Sequence, residues 1–440
     1  MGTIKDNMEV INTYNSPDYK RARKAYCFQR IFEYFVFALV CDPYLSKLLT
    51  TIGVPDGIVG VIGTFVSLAA MFELMSIVIV AKMKNVKRTV ITGHLISQLS
   101  YGSMFVIPFM PVSVEVKTWL VTISLFMGYA FFYMISSVLY KWKTSFISPD
   151  NRGSFVGGVE SISVFVGMVF AVVMGAIIDY FEASGNINVA FLFLALSIFV
   201  FTAGNIVSLA YLKNKDISEF RDTNKEKQSF KDVIDNTIKN KSYLYVVAMT
   251  ALYNIATGFS SGFMGVYKIN ELMMSMTLIQ VISVGGSILR MILAKPIGIY
   301  SDRTSCVKGM KLAYTISIMG SAFAVFTTKN TWWLSIISAL LGSAAFVGIN
   351  VNNFNVIYDY VDEKYYVQAL AIKNSIAGIL GFGASIVGGR ILTYIQQNGN
   401  AIFGISMYAQ QFLSLITVIV LGFSVIFIIP KIEKQTILRQ

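Results

Sequence analysis

The chain has 440 residues, of which 55% are hydrophobic and only 14% are charged. A soluble domain of this size could not bury so much apolar surface, so the composition excludes an ordinary soluble fold and indicates a protein of the lipid bilayer. The formal net charge is +12. The positions of the basic residues along the chain decide whether this charge reflects a nucleic-acid partner or a membrane topology.

Long apolar runs alternate with short polar gaps along the chain. A helix needs about 20 mainly apolar residues to cross the ~30 Å hydrocarbon core of a bilayer. By this rule the sequence predicts twelve membrane-spanning helices, numbered span 1 to span 12, at residues 26–49, 56–81, 89–110, 116–140, 154–181, 189–212, 242–267, 275–300, 310–328, 332–357, 367–395 and 404–430. The prediction is an all-α, multi-pass membrane protein.

The 36 Lys and Arg residues are divided unequally between the two sides of these spans. Of them, 27 lie in residues 1–25, 82–88, 141–153, 213–241, 301–311, 359–366 and 431–440. The opposite loops hold only Lys47, Lys117, Lys268 and Lys329. Because cytoplasmic loops carry the Lys and Arg excess, we expect a protein of the cytoplasmic membrane with both termini in the cytoplasm. The basic charge follows the topology, which argues against a nucleic-acid partner.

Cysteine and histidine are too few for a metal centre. Cys27, Cys41 and Cys306 are scattered, with no metal-ligand spacing and no extracellular set for disulfides. We therefore expect no metal site and no cofactor. His94, the only histidine, lies near the inner end of span 3 and is expected to be a hydrogen-bonded helix residue rather than a proton relay. The first 25 residues are polar and basic, so span 1 is expected to act as an uncleaved anchor.

The longest polar stretch, 213–241, divides the spans into six and six. It predicts three parts: an N-terminal bundle at 1–212, a cytoplasmic linker at 213–241 and a C-terminal bundle at 242–440. Within the linker, Phe230, Val233, Ile234 and Ile238 recur at helical spacing. This pattern predicts a short amphipathic helix on the inner membrane face, with a disordered linker as the alternative for 213–228.

The two halves repeat each other. A shift of 214 residues lays span 5 on span 11, so that Gly167 meets Gly381 and Tyr180 meets Tyr394. A shift of 217 lays span 2 on span 8, which places Glu73 on Arg290. Parallel six-helix halves related by an axis along the membrane normal form an established transporter architecture, with substrate bound between the halves near the bilayer midplane.

The loop after span 8 carries a further signature. It contains Gly298, Asp302, Arg303 and Lys308, and it resembles the loop motif of the major facilitator superfamily. The corresponding loop of the first half has Asn85 where that motif has Asp. In the superfamily the Asp lies at a helix end and helps to latch the transporter in its alternative states, so the first half is expected to latch differently.

The segments 348–361 and 378–389 are similar to a bacterial branch of the same superfamily. The resemblance covers the whole chain and implies twelve helices in two pseudo-symmetric bundles of six. It also implies that spans 1, 4, 7 and 10 line a central cavity, that spans 2 and 11 and spans 5 and 8 are neighbours across the interface, and that the protein works as a monomer.

Charged residues inside span 1 need an explanation, because each costs about 2.5–3.5 kcal/mol at a helix centre. Arg30 and Glu33 are three residues apart and can neutralise each other on one helix face. Asp42 lies nine residues after Glu33, about 180° around the helix. The following Pro43 is expected to loosen the turn. Asp42 is a candidate for the central path or, alternatively, for the outer interface.

Opposite charges occur at matched depth in other spans. Glu73, Glu160 and Arg290 lie in the cytoplasmic third of their spans, and Lys373 with Asn374 lies at a similar depth in span 11. The resemblance then implies the pairs Glu73–Lys373 and Glu160–Arg290 across the halves. These residues, with Glu33 and Asp42, are the candidates for gating or ion coupling, and a permanent structural ion pair is the alternative.

Asparagine is unusually dense in span 10, at residues 350, 352, 353 and 355. An amide both donates and accepts hydrogen bonds, which suits hydroxyl- or amide-bearing solutes. Asn350 and Asn353 share one face. Under the resemblance, candidate solute-binding residues on spans 7 and 4 complete the set: Tyr253, Asn254, Tyr129 and Tyr133. Ordinary interhelical hydrogen bonding is the alternative.

These features favour a secondary transporter that moves a small polar organic solute by alternating access. No G-x-x-x-x-G-K-[ST] loop is present, which argues against ATP as the energy source. Buried carboxylates could couple transport to a proton or Na⁺. A proton-driven exporter of drugs or metabolites is one alternative. The resemblance weakens it, because such exporters of the superfamily often carry a glycine–proline motif on the fifth helix and span 5 contains no proline. A non-transporting sensor is another alternative. No nucleophile and base form a recognisable enzyme site.

Overall fold

The computed structural model describes residues 16–75, 79, 82–148, 151–214, 240–361, 365–402 and 404–437. The linker predicted at 213–241, including its amphipathic helix, therefore lies almost entirely outside the described residues. Apart from one two-residue β-hairpin, β1 (Ala401–Ile402) and β2 (Ile405–Ser406), the regular structure of this part of the chain is helical.

The first half of the chain gives a series of helices that follow the predicted spans. They are α1 (Pro17–Val40), α2 (Tyr44–Ile52), α3 (Asp56–Gly63), α4 (Phe65–Ala69), α5 (Val86–Met104), α6 (Val114–Thr144), α7 (Arg152–Ala183) and α8 (Ile187–Ala210). A 3₁₀ turn at Ala70–Leu74 follows α4, and another lies at Ile107–Phe109.

The second half continues in the same manner. Its helices are α9 (Lys241–Ser260), α10 (Met264–Val266), α11 (Met276–Arg303), α12 (Cys306–Val325), α13 (Leu334–Tyr358), α14 (Tyr366–Gln397), α15 (Ala409–Phe423) and α16 (Ile429–Ile437). Turns of 3₁₀ or π type join several of them, at Ser261–Phe263, Tyr267–Glu271 and Ser424–Ile428.

Local sequence explains where many of these helices begin. The first backbone N–H groups of a helix lack intrahelical acceptors, and a Ser or Asn side chain at the N-cap can accept from one of them. Such caps start α1, α5, α6, α9, α11 and α12, at Ser16, Asn85, Ser113, Asn240, Ser275 and Ser305. Asn85, which departs from the loop motif, thus caps α5 by accepting from the Arg88 N–H.

Span 1 is bent where the sequence predicts a loosened turn. Helix α1 ends at Val40, α2 begins at Tyr44, and the two axes differ by 40°. Pro43 has no N–H to continue the helix, and the Cys41 N–H is the last to bond back, to the Phe37 carbonyl. The bend changes the direction of the chain immediately after Asp42.

Eight helices of the described residues are long and apolar enough to cross a bilayer, or nine when the bent pair α1–α2 is counted as one span. They correspond to spans 1, 2, 4, 5, 6, 8, 10, 11 and 12. Helices α5, α9 and α12 occupy the other three predicted spans with 19 or 20 residues each. The prediction of an all-α, multi-pass membrane protein is confirmed.

The helices group into two compact units. Unit 1 comprises the described residues of Met1–Leu48 and Ala69–Lys225, and unit 2 those of Leu49–Leu68 and Glu226–Gln440. Segment 49–68, which contains α3 and all of α4 but its last residue, therefore groups with the C-terminal helices, whereas the sequence analysis assigned it to the N-terminal bundle. The division into bundles at 1–212 and 242–440 stays a prediction.

Each unit has its own apolar core. In unit 1, Trp142 lies with Val86, Val90 and Leu209 at one end of α5, α6 and α8. In unit 2, aromatic and aliphatic side chains of α9, α12 and α13 pack together, with Tyr243, Tyr314 and Val356 fully buried. The large residues that remain exposed, such as Phe165 on α7 and Ile419 on α15, fit a bilayer environment, where apolar side chains need no burial in protein.

Helices α3 and α14 of unit 2 approach closely at a pair of glycines. A Cβ atom added at Gly389 would lie 2.7 Å from the carbonyl oxygen of Gly57. Gly383, two turns earlier on α14, has no heavy atom within 4 Å of its Cβ position. Small residues at such crossings let helix backbones come together.

We expect Gly389→Leu to destabilise the protein, because the added side chain forces α14 away from α3. Overpacking of this kind costs about 1–3 kcal/mol. Gly383→Leu makes the same change at an open position of the same helix and should leave stability unchanged or slightly raised. Thermal unfolding in detergent measures both, and equal melting temperatures for the two variants would contradict the close crossing.

Candidate functional site

Arg30 on α1 joins two carboxylates of unit 1. Its Nε and Nη2 donate to Glu160 on α7 at 2.6 and 2.9 Å. Its Nη1 donates to Glu33 at 2.6 Å. The predicted neutralisation of Arg30 and Glu33 along one helix face is therefore confirmed. The forked contact with Glu160 is a bidentate pair of the kind that Arg favours.

Glu33 has a second cationic neighbour. The Lys143 Nζ lies 3.9 Å from Glu33 Oε2 and donates to Gln29 Oε1 at 2.7 Å. Helix α6 continues to Thr144, so Lys143, which the sequence analysis counted in the segment 141–153, belongs to this helix and its side chain turns inward. Its position on the cytoplasmic side stays a prediction. Lys143, Gln29 and Glu33 are all buried.

His94 on α5 extends this network. Its Nε2 lies 3.0 Å from the amide nitrogen of Gln98 and 2.7 Å from that of Asn205 on α8. The same nitrogen is 3.9 Å from Glu33 Oε1. All four side chains are at most 2% exposed. The expectation that His94 is a hydrogen-bonded helix residue is confirmed.

The charges of this cluster balance. Glu33 and Glu160 supply two negative charges, Arg30 and Lys143 two positive ones, and the buried His94 is neutral. Exposure changes across the cluster, from 2% for the side chain of Glu33 to 24% for Arg30 and 39% for Glu160. A chain of polar contacts thus leads from the accessible edge of unit 1 to its centre. We call this cluster, with Gln29, Gln98 and Asn205, the Glu33 network.

The other candidates of unit 1 lie outside the Glu33 network. Asp42 is exposed and accepts a hydrogen bond from Ser46 on the next turn. Glu73 lies in the 3₁₀ turn at Ala70–Leu74, is exposed, and accepts from Ser137 Oγ at 3.1 Å. Both carboxylates therefore accept a hydrogen bond from a serine hydroxyl of unit 1.

Tyr129 and Tyr133 lie one turn apart on α6. Tyr129 is buried, with its ring edge-to-face against Tyr101 at 5.4 Å. Tyr133 is half-buried and contacts Phe132. Of the two, Tyr133 is the one whose side chain has an accessible part.

Unit 2 holds a buried lysine. Lys373 on α14 is fully buried, and its Nζ donates to the backbone oxygen and to Oδ1 of Asn353 on α13, at 2.6 and 2.7 Å. No carboxylate of the described residues forms an ion pair with it within 4 Å. The predicted Asn353 and Lys373 are thus brought together, although the sequence analysis assigned them to different roles.

The remaining asparagines of span 10 divide by burial. Asn352 is fully buried and donates to the Gly348 carbonyl at 2.7 Å. Asn350 is exposed, as is Asn355, which donates to its own helix at Val351. Asn374, next to Lys373, is exposed as well. Asn352 and Asn355 therefore donate to backbone carbonyls of their own helix α13, four residues earlier, and not to a neighbouring helix.

Tyr253 and Asn254 lie on α9. The ring of Tyr253 stacks on Tyr314 of α12 at 5.2 Å between centroids. Asn254 is half-buried and donates to the Thr250 carbonyl at 3.0 Å. Its own backbone oxygen would lie 2.9 Å from a Cβ atom at Gly381, so α9 and α14 cross here without room for a side chain.

Arg290 on α11 is exposed, and its guanidinium lies 4.6 Å from the Phe346 ring centroid, in a cation–π contact. It also contacts Ser343 at 3.5 Å. The predicted pairs Glu73–Lys373 and Glu160–Arg290 would each join the two units, and they stay predictions.

The loop motif lies at the end of α11. This helix runs to Arg303, so Asp302 occupies its last turn, and both side chains are exposed. Gly298 has no heavy atom within 4 Å of its Cβ position.

A polar cluster that the sequence analysis missed lies where α3 begins in unit 2. Asp56 accepts hydrogen bonds from Asn270 at 2.8 Å and from Gln396 at 2.9 Å. Gln396 also donates to Glu271 at 3.4 Å, and burial raises the pKa of this second carboxyl. Farther along, the hydroxyls of Thr64 and Ser385 are 2.8 Å apart. Single polar residues at span ends, far apart in sequence, gave no signal of this association.

The sequence and the fold of the chain match known transporters. Residues 28–385 match the family model of the major facilitator superfamily, and the chain belongs to that family. Its members are membrane transporters of small solutes rather than enzymes. A comparison with curated proteins finds no match.

Solved structures share the fold at low sequence identity. The nucleoside transporter NupG is 13% identical with a TM-score of 0.72, over 93% of this chain and 99% of that one. A bacterial homologue of the human lysosomal transporter Spinster is 15% identical with a TM-score of 0.61, over 97% and 98%. A bacterial homologue of the iron transporter ferroportin, in its inward-facing state, is 10% identical with a TM-score of 0.66, over 94% and 98%. The predicted fold class is confirmed.

We expect Glu33→Gln to lower the free energy of unfolding by about 3–5 kcal/mol, because it leaves the buried Lys143 and the partly buried Arg30 as two cations against one remaining carboxylate. Glu433→Gln is the matched control. Glu433 pairs with Lys311, whose side chain is 41% exposed, so the loss of this carboxylate should cost less than about 1 kcal/mol. SDS titration of the purified variants measures both. Adding Lys143→Met to Glu33→Gln should recover part of the loss, and equal costs for the two Glu→Gln changes would contradict the role of burial.

Lys373→Met should leave the free energy of unfolding unchanged or raise it by about 1 kcal/mol, because it replaces a buried cation by an apolar side chain of similar length, and no carboxylate in the part of the chain that the structure describes pairs with this cation. Lys311→Met is the control. Lys311 is partly exposed and pairs with Glu433 at 3.3 Å, and its removal should cost up to about 1 kcal/mol. A large loss of stability in Lys373→Met alone would show that the ammonium is a structural requirement.

Proposed function

We propose that the protein is a secondary active transporter that moves a small polar organic solute across the cytoplasmic membrane by alternating access. Membership of the transporter family gives the general activity. The single observation that supports the finer statement is Lys373, a cationic side chain kept inside unit 2, whose hydrogen-bond partners among the described residues are the side-chain and backbone oxygens of Asn353. Stability alone does not favour such an arrangement, which argues that the residue serves transport.

The solute-binding residues proposed for unit 2 are Asn350, Asn353, Asn254 and Tyr253. Amide and phenol groups donate and accept hydrogen bonds and so recognise hydroxyl and amide groups of a solute. Asn350 is exposed, and Asn254 and Tyr253 are half-buried. Tyr133 is the corresponding candidate of unit 1, whereas the buried Tyr129 supports its position through the contact with Tyr101.

A coupling cation is part of the proposal. The Glu33 network contains two carboxylates that balance two cations inside unit 1. A proton or Na⁺ that enters such a network changes its charge balance and can therefore bias one conformation over another. Asp42, Glu73, Arg290 and Asn374 remain candidates for gating. We further propose a monomer, as the family resemblance implies. Both termini lie in the cytoplasm in this proposal, as the Lys and Arg distribution predicts.

The solute can be found by thermal shift. The purified protein is heated with single members of a panel of sugars, amino acids, small peptides and nucleosides, because a specific ligand raises the melting temperature by mass action. We expect at least one compound to stabilise the wild type, and Lys373→Met to weaken its affinity about tenfold or more, which corresponds to ~1.4 kcal/mol. Lys311→Met should bind as the wild type does.

Flux in proteoliposomes then separates the possible modes of action. We expect uptake of the stabilising compound to depend on an imposed pH or Na⁺ gradient. We also expect this uptake to fall in Glu33→Gln or Glu160→Gln. Uptake that does not change with pH or with added ionophores would rule out ion coupling and indicate a facilitator. Binding without any flux would favour a sensor and overturn the transport proposal.

A further inference from the structure

A groove on the surface of unit 2 follows the crossing of α3 and α14. Its volume is about 380 Å³, within the roughly 300–1,000 Å³ that is common for small-molecule sites. The buried Gly57 and Gly389 belong to its lining, at the place where the two backbones approach each other. Because neither glycine carries a side chain, the groove reaches down to the backbone between the helices.

Aliphatic side chains from both helices form the walls of this groove. Ile58 and Val61 come from α3, and Ile386 comes from α14. Ile58 is 45% exposed and Ile386 is 39% exposed, so both present apolar surface to the surroundings of unit 2. In a multi-pass membrane protein these surroundings are acyl chains, in which apolar side chains need no burial in protein. The walls are therefore suited to hold an acyl chain.

Arg390 is the only charged residue among the described residues that line the groove. It is exposed, and no carboxylate in this part of the chain forms an ion pair with it within 4 Å. It lies in predicted span 11, before the end of α14 at Gln397, a distance of about 10 Å along the helix at the usual rise per residue. A charged side chain deep in a bilayer is costly, and a long one extends toward the interface. This position puts the guanidinium within reach of the headgroup layer.

The charge of Arg390 is not compensated within the groove. Asp56, the residue before Gly57, accepts hydrogen bonds from Asn270 and Gln396 instead. A phosphate group supplies the missing negative charge, and a guanidinium binds phosphate oxygens through a forked contact. The ammonium group of a zwitterionic headgroup would find no carboxylate among the described residues that line the groove. Charge complementarity therefore favours a lipid with a net negative charge.

We infer that this groove binds an anionic phospholipid, such as phosphatidylglycerol, whose phosphate pairs with Arg390 and whose acyl chain lies against Ile58, Val61 and Ile386. The predicted topology places this end of α14 on the external side, so the lipid belongs to the outer leaflet. It contacts α3 and α14 together and so stabilises the arrangement in which these two helices touch. The site is separate from the residues proposed to bind the solute.

Lipid binding can be measured on the whole chain. The protein is purified in detergent and titrated with phosphatidylglycerol or phosphatidylcholine of identical acyl chains, and bound lipids are counted by native mass spectrometry. At its tightest site the wild type should prefer phosphatidylglycerol about tenfold, the size expected for a charge-assisted contact. Arg390→Gln should abolish this preference. Arg390→Lys keeps the charge but loses the fork and should retain part of it.

Two further variants separate the groove from a general attraction between charges. Lys295 is also an exposed cation within a predicted span, but it lies outside the groove, and Lys295→Gln should keep the preference. Ile58→Trp fills the groove while Arg390 stays in place, and it should weaken binding at the tightest site. If Arg390→Gln does not fold, Ile58→Trp and Lys295→Gln still decide the inference.

Melting temperature distinguishes a lipid from a free anion. Phosphatidylglycerol should raise the melting temperature of the wild type by mass action, and inorganic phosphate at the same concentration should not. An equal rise with phosphate would indicate a site for free anions and would overturn the inference.

Equal affinity of the wild type for the two lipids would also overturn the inference. An unchanged preference in Arg390→Gln would do the same, as would a loss of preference that Lys295→Gln shares or unchanged binding in Ile58→Trp. None of these outcomes depends on flux, so the lipid site and the transport proposal can fail separately.

Discussion

Charge balance around Glu33 constrains how unit 1 is built. A carboxylate that is 1% exposed inside a bundle of apolar helices is tolerated only when cations compensate for its lost hydration. Arg30 supplies one from the same helix, and Lys143 supplies another from α6. Because Arg30 also holds Glu160 on α7, three helices are tied together at one level. A change of charge on Arg30, Glu33, Lys143 or Glu160 therefore changes the interactions of the other three side chains.

Unit 2 handles a buried charge in a different way. Among the described residues, Lys373 contacts amide and carbonyl oxygens of Asn353 rather than a carboxylate, and such oxygens stabilise an ammonium less than an opposite charge does. Unit 1 thus contains a charge-balanced network, and unit 2 contains a cation that is compensated less completely. A bound cation would change the charge balance of the network, whereas the lysine is suited to attract electron-rich groups of a solute. This difference is the physical reason for proposing the coupling site in unit 1 and a role for Lys373 in solute recognition.

The sequence predicted what depends on local spacing and on composition. Every predicted span has a helix, because twenty apolar residues in a row leave few alternatives, and Arg30–Glu33 follows from a spacing of three on one helix. The partners of Glu33 on other helices could not be predicted in this way, because contacts between distant segments carry no periodic signal. The inward contact of Lys143 could not be predicted either, because the distribution of basic residues predicts a side of the membrane and not the residues that a side chain contacts. The Asp56 cluster was missed for the same reason as the long-range partners.

A change of conformation that moves segment 49–68 away from α14 would have to break the contacts between α3 and α14. This segment belongs to the first six spans by sequence, yet α3 packs on α14 of unit 2 through Gly57 and Gly389. Asp56 adds hydrogen bonds to Asn270 and Gln396 at the end of this contact. Glycine contacts of this kind are stabilised mainly by packing, and neutral hydrogen bonds contribute little net energy each. Such a contact can therefore separate at moderate cost, whereas the ionic ties of the Glu33 network are lost only when their charge changes.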